Sequence, residues 1–145
     1  MAATGLASFD RTIQETNVWL HDIERELHDT RRQMAYHALR GVLFALRDRL
    51  IVTEVFDLSA QLPMLIRGIL FEGYKPTGKP EKYHREEFLA RVSKELQQAG
   101  GGNPEAAARA VFRVLQQHVS AGEVEKLRHA LPRDLRTLWG EPTTP

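Results

Sequence analysis

The sequence predicts an all-α protein made of two tandem four-helix repeats. Residues 17–72 align without a gap on residues 86–141, and 14 of these 56 positions are identical. Both segments carry apolar residues at helical spacing, and no convincing pair of strands appears anywhere. Because a repeat of this length is one supersecondary unit that packs on its twin, we expect two pseudo-symmetric copies within one compact helical domain.

The first helix of each copy follows from an apolar stripe and from signals at its ends. In the first copy the helix spans residues 8–29, its apolar side includes Ile13 and Trp19, and Ser8 or Asp10 caps it. The counterpart is shorter, residues 84–99, and Gly-Gly-Gly-Asn at residues 100–103 ends it. We therefore expect unequal first helices.

The second helix of each copy carries apolar residues at i, i+3, i+4 and i+7, which is the pattern of an amphipathic helix that faces a core. In the first copy it spans residues 32–50. In the second copy it begins at Pro104, because proline suits a first helical turn.

A short third helix and a fourth helix complete each copy. Ser120 and Glu123 form a capping box in the second copy. Ile51 occupies the cap position in the first copy, so we expect that helix start to be shifted or frayed. Leu-Pro at residues 62–63 and 131–132 ends each third helix, because proline disfavours helical backbone at the residue before it. The proline then suits the first position of the fourth helix.

The repeats define the domain organisation. Residues 8–72 form the first repeat and residues 84–139 the second. Residues 73–83 form a connector whose prolines make it semi-rigid. Residues 140–145 form a tail that we expect to be mobile.

Composition limits the classes of function. The chain has 20 Lys and Arg against 19 Asp and Glu, so it lacks the concentrated positive charge that nucleic-acid binding usually needs. It has no cysteine, which excludes disulfide scaffolds, thiol catalysis and cysteine-based zinc sites. No signal peptide is recognisable, and the longest nearly uncharged stretch, residues 58–70, is too short to span a bilayer. We expect a soluble cytoplasmic protein without a cofactor.

Several segments resemble one known family. They are Leu-Arg-Gly-Val-Leu at 39–43, Leu-Arg-Asp-Arg-Leu at 46–50, Ala-Gln-Leu-Pro at 60–63, Glu-Glu-Phe-Leu-Ala-Arg-Val at 86–92 and Leu-Pro-Arg-Asp-Leu at 131–135. In order and spacing the chain resembles the domain-of-unknown-function family numbered 2267 over roughly residues 9–139. The resemblance implies a small bacterial helical domain with no established activity, and it supplies no catalytic or ligand-binding residue. The family usually has a small hydroxyl residue where Ile51 stands.

Charged residues retained in both copies are candidates for a shared role. We expect arginines of the second or fourth helix to pair with the third-helix glutamate and hold that short helix in place, because arginine suits bidentate pairing. The alternative is an anion site between the repeats, where the four arginines converge. The residues are Arg40, Arg67, Arg109, Arg136, Glu54 and Glu123.

One polar group has the spacing of a metal site. His21, Glu24 and His28 lie on one face of the first helix, and imidazole and carboxylate groups at this spacing can bind a divalent cation. The second copy has no equivalent group, so the favoured interpretation is a solvated polar face.

A basic group surrounds the second helix of the first copy and could contact phosphates. Because acidic residues lie nearby, a solvated helix end is the favoured interpretation. The group comprises Arg31, Arg32, Arg47 and Arg49, with Asp48 among them.

The fourth helix of the first copy is the strongest apolar signal. Residues 64–71 are apolar nearly all round, whereas residues 133–139 are amphipathic. A helix that is apolar on every side must be covered on every side, by the rest of the monomer or by a partner. The candidate interface residues are Met64, Leu65, Ile69, Phe71 and Tyr74.

No motif in the chain supports an enzyme, since it has no Gly-rich phosphate loop, no Gly-x-Ser-x-Gly elbow and no cofactor signature. We expect a non-catalytic helical module for protein interaction or assembly, which self-associates or binds another protein. One alternative is a small-ligand or anion-binding regulator with its site between the repeats. The other is a nucleic-acid-associated protein that uses the arginines of the second helices.

Overall fold

The computed structural model describes residues 3–140, and within that range the protein is all-helical, as predicted. The helices are α1 (Ala7–Leu27), α2 (Arg32–Arg49), α3 (Val52–Ser59), α4 (Met64–Phe71), α5 (Arg85–Leu96), α6 (Pro104–His118), α7 (Ala121–Ala130) and α8 (Arg133–Arg136). Single 3₁₀ turns, Gln97–Ala99 and Thr137–Trp139, follow α5 and α8. Of the predicted mobile tail, residues 141–145 lie outside the described range.

Helix α2 lies at the centre of the fold and packs against α1, α4, α5 and α6. Side chains from both halves of the chain form one hydrophobic core, which includes Leu43 and Leu46 of α2 with Phe88 of α5 and Phe112 of α6. The α2–α5 crossing is close at Gly41, where an added Cβ would lie 3.0 Å from the Cβ of Glu95. The burial of these apolar side chains is the main stabilising contribution to the fold.

The predicted cap of α1 is wrong. Leu6 occupies the N-cap position and no side chain caps the helix. Asp10 instead lies one turn inside, where its carboxylate accepts hydrogen bonds from the Thr4 backbone N–H (3.1 Å) and hydroxyl (2.8 Å). The carboxylate therefore holds the segment that precedes the helix rather than the helix start itself.

Helices α6 and α7 begin where the sequence placed them, but the predicted capping box forms only in part, because the Ser120 N–H donates to Gln61 Oε1 at 2.8 Å rather than to Glu123. The Asn103 side chain accepts from the Ala106 N–H ahead of Pro104, and the Ser120 hydroxyl accepts from the Glu123 N–H. The expected shift at Ile51 is absent, because α3 begins at Val52, 69 positions before the start of α7. Ile51 has φ −66° and ψ 155°, close to Ser120 with φ −59° and ψ 150°, so the backbone adopts the cap conformation without a side-chain acceptor.

The connector is held against the end of α2. The Glu81 N–H donates to the Asp48 carbonyl at 2.8 Å, and Arg49 Nε donates to the Tyr83 carbonyl at 2.7 Å. The Tyr83 ring is buried beneath the Arg91 guanidinium, 4.0 Å from its centroid, and this burial raises the pKa of the Tyr83 hydroxyl. These contacts fix the path between the two halves of the chain.

Across residues 3–140, no helix combines the length and the apolar character that crossing a membrane requires.

Candidate functional site

The start of α1 and helix α4 expose large apolar side chains to solvent. Leu6, Phe9 and Ile13 follow one another at i, i+3 and i+7 and are 54%, 46% and 41% exposed. On α4, Leu65 is 45% exposed, and its backbone N–H donates to the Thr12 hydroxyl at 2.9 Å, which fixes α4 against α1. We call these four apolar residues the α1–α4 face. Large apolar side chains clustered in this way are typical of interaction surfaces.

An open groove adjoins this face, between α1, α2 and α4. It has a volume of about 460 Å³, and its walls include Ile13, Leu20, Leu39, Leu65 and Ile69. Thr16, Asn17, Tyr36, Gly68 and Glu72 complete the lining. We call it the first-half groove, and most of its exposed lining is apolar.

In the second half, the space between α5, α6 and α8 is occupied by Arg85. Its guanidinium donates to the Thr137 hydroxyl at 2.8 Å and lies 2.8 Å from a Glu105 carboxylate oxygen, while its backbone N–H donates to the Asp134 carboxylate at 3.2 Å. The residues 69 positions before Arg85, Glu105, Asp134 and Thr137 are Thr16, Tyr36, Leu65 and Gly68, which all line the first-half groove. The first half therefore lacks both this cation and its acceptors.

The predicted interface residues do not share one environment. Met64 and Leu65 are about half exposed, whereas Ile69, Phe71 and Tyr74 are partly buried and pack against the core. The Phe71 ring lies between those of Phe56 and Tyr74, at 5.2 and 6.0 Å, and burial raises the pKa of the Tyr74 hydroxyl. Met64 and Leu65 are therefore the most exposed residues of the predicted set, and Ile69 contributes through the groove wall.

Sequence reasoning missed the contribution of α1 to this surface. Ile13 was expected on the apolar, core-facing side of the helix, and Leu6 and Phe9 lay outside the predicted stripe. The first turns of α1 extend past the region that aligns with α5, so no neighbouring helix covers one flank of them. The signal available in the sequence was the greater length of the first helix relative to its counterpart.

The fourth-helix arginines anchor the turns before them, but not by pairing with glutamate. Arg67 donates to the carbonyls of Ser59 (2.8 Å) and Leu62 (3.0 Å), and Arg136 donates to the carbonyl of Leu131 (3.0 Å). These carbonyls belong to the Leu-Pro turns, where proline interrupts the helical hydrogen bonding and leaves acceptors free. The predicted pairing with Glu54 and Glu123 is therefore wrong for these two arginines, which bind backbone carbonyls instead.

The second-helix arginines have carboxylate partners elsewhere. Arg40 contacts Glu72 at 2.6 Å and Glu95 at 3.1 Å, and its hydrogen bond with Glu72 raises the pKa of Arg40 and lowers that of Glu72. Arg109 contacts Glu105 at 2.9 Å and donates to the Thr137 carbonyl at 3.0 Å. Together with the fourth-helix pair, the four arginines occupy separate helix junctions, and their observed contacts do not bring them together at one anion.

The third-helix glutamates lie where α3 packs on α7. Oε1 of Glu54 and Oε2 of Glu123 are buried and accept no hydrogen bond from the described residues. Burial raises the pKa of Glu54; Lys126 opposes that rise, and the charges of Glu123 and Asp57 add to it. Lys126 lies 2.7 Å from Asp57 and 3.4 Å from Glu123, so it is the main counter-charge of this junction.

The three candidate metal ligands, His21, Glu24 and His28, contact other groups and do not converge on one point. His21 Nδ1 is 3.9 Å from Glu24, whose carboxylate is bound by Arg32 at 2.9 Å. His28 occupies the C-cap of α1 with left-handed backbone, φ 54°. Among residues 3–140, no three His, Asp or Glu side chains form a group that could hold a metal ion.

The prediction of a solvated helix end fits Arg31 and Arg32, which are exposed, but it is wrong for Arg47 and Arg49. Arg47 is buried, donates to the Leu70 and Glu72 carbonyls at the end of α4, and stacks over the Phe44 ring at 4.2 Å. The other arginines also have acceptors: Arg31 binds Asp29, Arg32 binds Glu24, and Arg49 donates to the Tyr83 carbonyl. The error for Arg47 arose because its acceptors come from a distant part of the chain.

Comparison with known proteins yields one family. A model described as Uncharacterized conserved protein (DUF2267) matches residues 16–138. A search of curated proteins found no match.

Proposed function

Since the chain belongs to the DUF2267 family, whose description names no activity, we propose a function from the geometry: a non-catalytic assembly module that self-associates through the α1–α4 face and the first-half groove. The observation that carries this proposal is the contrast between an open apolar groove in the first half and an Arg85-filled space in the second.

A second copy of the chain is the partner that fits this face. The stripe of Leu6, Phe9 and Ile13 has the i, i+3, i+7 spacing of a helix–helix seam. Two such stripes can pack antiparallel about a two-fold axis, and an interface of this kind uses the same patch on both copies. The four residues of the face are uncharged, and Glu72 is the charged residue in the lining of the adjoining groove.

The size of the molecule allows such an interface. A standard dimer buries roughly 800 Å² on each partner, which is about one tenth of the 7962 Å² surface of this chain. The α1–α4 face together with the walls of the adjoining groove extends over the outer side of two helices. Burial of its apolar side chains would supply the driving force.

We also propose that the two halves are pseudo-symmetric copies of one four-helix unit, which meet where α2 packs on α5 and α6, where α1 packs on α6 and where α3 packs on α7. Three relations support this. The helix starts of α3 and α7 are 69 positions apart, Arg67 and Arg136 bind equivalent turns, and the ion-paired Asp57 and Lys126 are themselves 69 positions apart. As part of the same proposal, the protein is cytoplasmic and does not catalyse a reaction.

Light scattering after size-exclusion chromatography tests self-association. We expect the wild-type chain to be a dimer and the double variant Ile13→Asp with Leu65→Asp to be a folded monomer, because the two carboxylates would be buried in the interface. The matched control is Phe56→Asp, which changes a 56% exposed apolar residue outside the face and should leave the dimer intact. A wild-type monomer at millimolar concentration would refute the proposal.

A further inference from the structure

A second concave site lies on the other flank of α1, opposite the α1–α4 face. It is bounded by α1, by the turn between α3 and α4, and by the C-terminal end of α6, and its volume is about 600 Å³. This volume falls within the range of small-molecule sites. The polar side chains that line it include Arg11, Glu15, Gln61, Arg67 and His118.

Two of these side chains offer unused positive charge. Arg67 is fixed through Nε and Nη2 by the Ser59 and Leu62 carbonyls, and its Nη1 has no acceptor within residues 3–140. Arg11 has no hydrogen-bond or ion-pair partner in the same part of the chain, although it is only four positions from Glu15 on the same helix. A guanidinium that is already oriented by carbonyls loses little conformational entropy when it binds a ligand.

The remaining charges of the pocket leave it net positive. His118 Nε2 lies 2.8 Å from the Asp22 carboxylate, so these two groups satisfy each other. Glu15 is the acidic residue of the lining and opposes two arginines. An anion placed between Arg11 and Arg67 would therefore meet a favourable local field.

Apolar side chains form part of the pocket wall, beside the polar residues Ser8, Thr12 and Gln61. Trp19 is buried and stacks on the His118 ring, with 4.8 Å between centroids and 21° between planes. Val18 and Met64, each 50% exposed, stand on either side. Such a surface suits the planar or aliphatic body of a small molecule.

We propose that this pocket binds a small organic anion, a carboxylate or a phosphate monoester, whose head lies between Arg11 and Arg67 and whose body packs on the exposed Val18 and Met64 near the edge of Trp19. The ligand would contact α1 and α4 of the first half and α6 of the second, so binding stabilises the packing of the two halves. The site lies apart from the α1–α4 face and stands independently of self-association.

Two-dimensional ¹H–¹⁵N NMR tests this site, because the chain has two tryptophans in different surroundings. Trp19 lines the pocket, whereas Trp139 stacks on Phe112 at 4.2 Å in the second half. The full chain is titrated with phenyl phosphate and, separately, with benzoate. We expect a saturable shift of the Trp19 indole resonance with at least one probe, and no shift of the Trp139 resonance. The probe that saturates at lower concentration identifies the preferred head group.

The variant Arg11→Ala provides the charge test, since Arg11 is exposed and its removal should not alter folding. We expect the better probe to bind about tenfold more weakly, because one charge-assisted hydrogen bond is lost. Arg113→Ala, which removes a 60% exposed arginine of α6 that does not line the pocket, should leave the affinity unchanged. The proposal is wrong if neither probe moves the Trp19 resonance, if both indole resonances move alike, or if Arg11→Ala binds as wild type.

Discussion

The space between the first, second and fourth helices is open in the first half of the chain, α1–α4. The corresponding space is filled in the second half, α5–α8. In the second half Arg85 occupies that space with acceptors on α6 and after α8. In the first half the space is an apolar groove next to exposed Leu6, Phe9 and Ile13. Under the proposed function, the partner surface lies where the first half leaves open a space that the second half fills internally.

The two halves also anchor their fourth helices differently. Arg47 reaches the Leu70 and Glu72 carbonyls from a buried position, whereas Gln116, 69 positions later, reaches only the Trp139 carbonyl at 3.5 Å. A buried guanidinium with two carbonyl acceptors and an aromatic neighbour holds α4 more firmly than an exposed amide could hold α8. The helix that carries Leu65 of the α1–α4 face thus has the stronger anchor.

Replacement of Arg47, the residue that anchors α4, should have the largest effect on stability. In Arg47→Gln, the Leu70 and Glu72 carbonyls lose a charged donor and Phe44 loses its cation, so we expect a loss of roughly 3 kcal/mol in the free energy of unfolding. Urea denaturation measures it. Gln116→Ala is the control and should change stability by less than about 0.5 kcal/mol. Equal effects of the two substitutions would show that the halves are anchored alike.

A cap transferred from the second half should stabilise the first. Ile51 already has nearly the same backbone conformation as Ser120, so Ile51→Ser supplies an acceptor for an N–H in the first turn of α3. We expect a gain of about 1 kcal/mol, and a thermal melt should show a higher Tm. Ser120→Ala should lose a similar amount. If Ile51→Ser lowers the Tm, apolar contacts of the isoleucine outweigh the cap.

The buried carboxyl of Glu54 should give the smallest effect, with a characteristic pH dependence. Because its folded-state pKa is raised above 4.5, chiefly by burial, the ionised form is the destabilised one, and wild-type stability falls as pH rises through that pKa. The variant Glu54→Gln has no carboxyl to ionise at this position, so it does not lose stability in this way as pH rises. Its stability relative to wild type should therefore be higher at neutral pH, and the advantage should vanish below about pH 4.5.

Glu105, in the second half, is a control whose contribution to stability should change with pH in the opposite direction. The hydrogen bond from Arg109 lowers its pKa, so its contribution to stability is present above the ordinary pKa and is lost as pH falls. Glu105→Gln should be less stable than wild type at neutral pH, and the difference should shrink in acid. Urea titrations at pH 4, 5.5 and 7 measure both variants, and parallel pH profiles would contradict the assignment.

The sequence predicted the helical elements well because their signals are local. Apolar spacing placed α2 and α6, Pro104 marked the start of α6, and Ser120 marked the start of α7. Those features depend on residues within one turn of each other.

The site was less predictable because it depends on contacts between distant segments. Helical periodicity assigned Ile13 to the core side, but it could not show that the first turns of α1 lack a neighbour on one flank. Arg47 was misread because its acceptors, Leu70 and Glu72, lie more than twenty positions away. The carbonyl acceptors of Arg67 were missed because pattern reasoning considers side chains and not the backbone groups freed at a proline turn.

The most direct test is to give the first-half groove the residues of the second half. The variant combines Thr16→Arg, Tyr36→Glu, Leu65→Asp and Gly68→Thr. Sedimentation equilibrium should find a dimer for the wild type and a monomer for this variant, with unchanged helical content by circular dichroism. A variant that dimerises as the wild type does, or a wild type that is monomeric at every concentration, would contradict the claim that the open groove of the first half is an assembly surface.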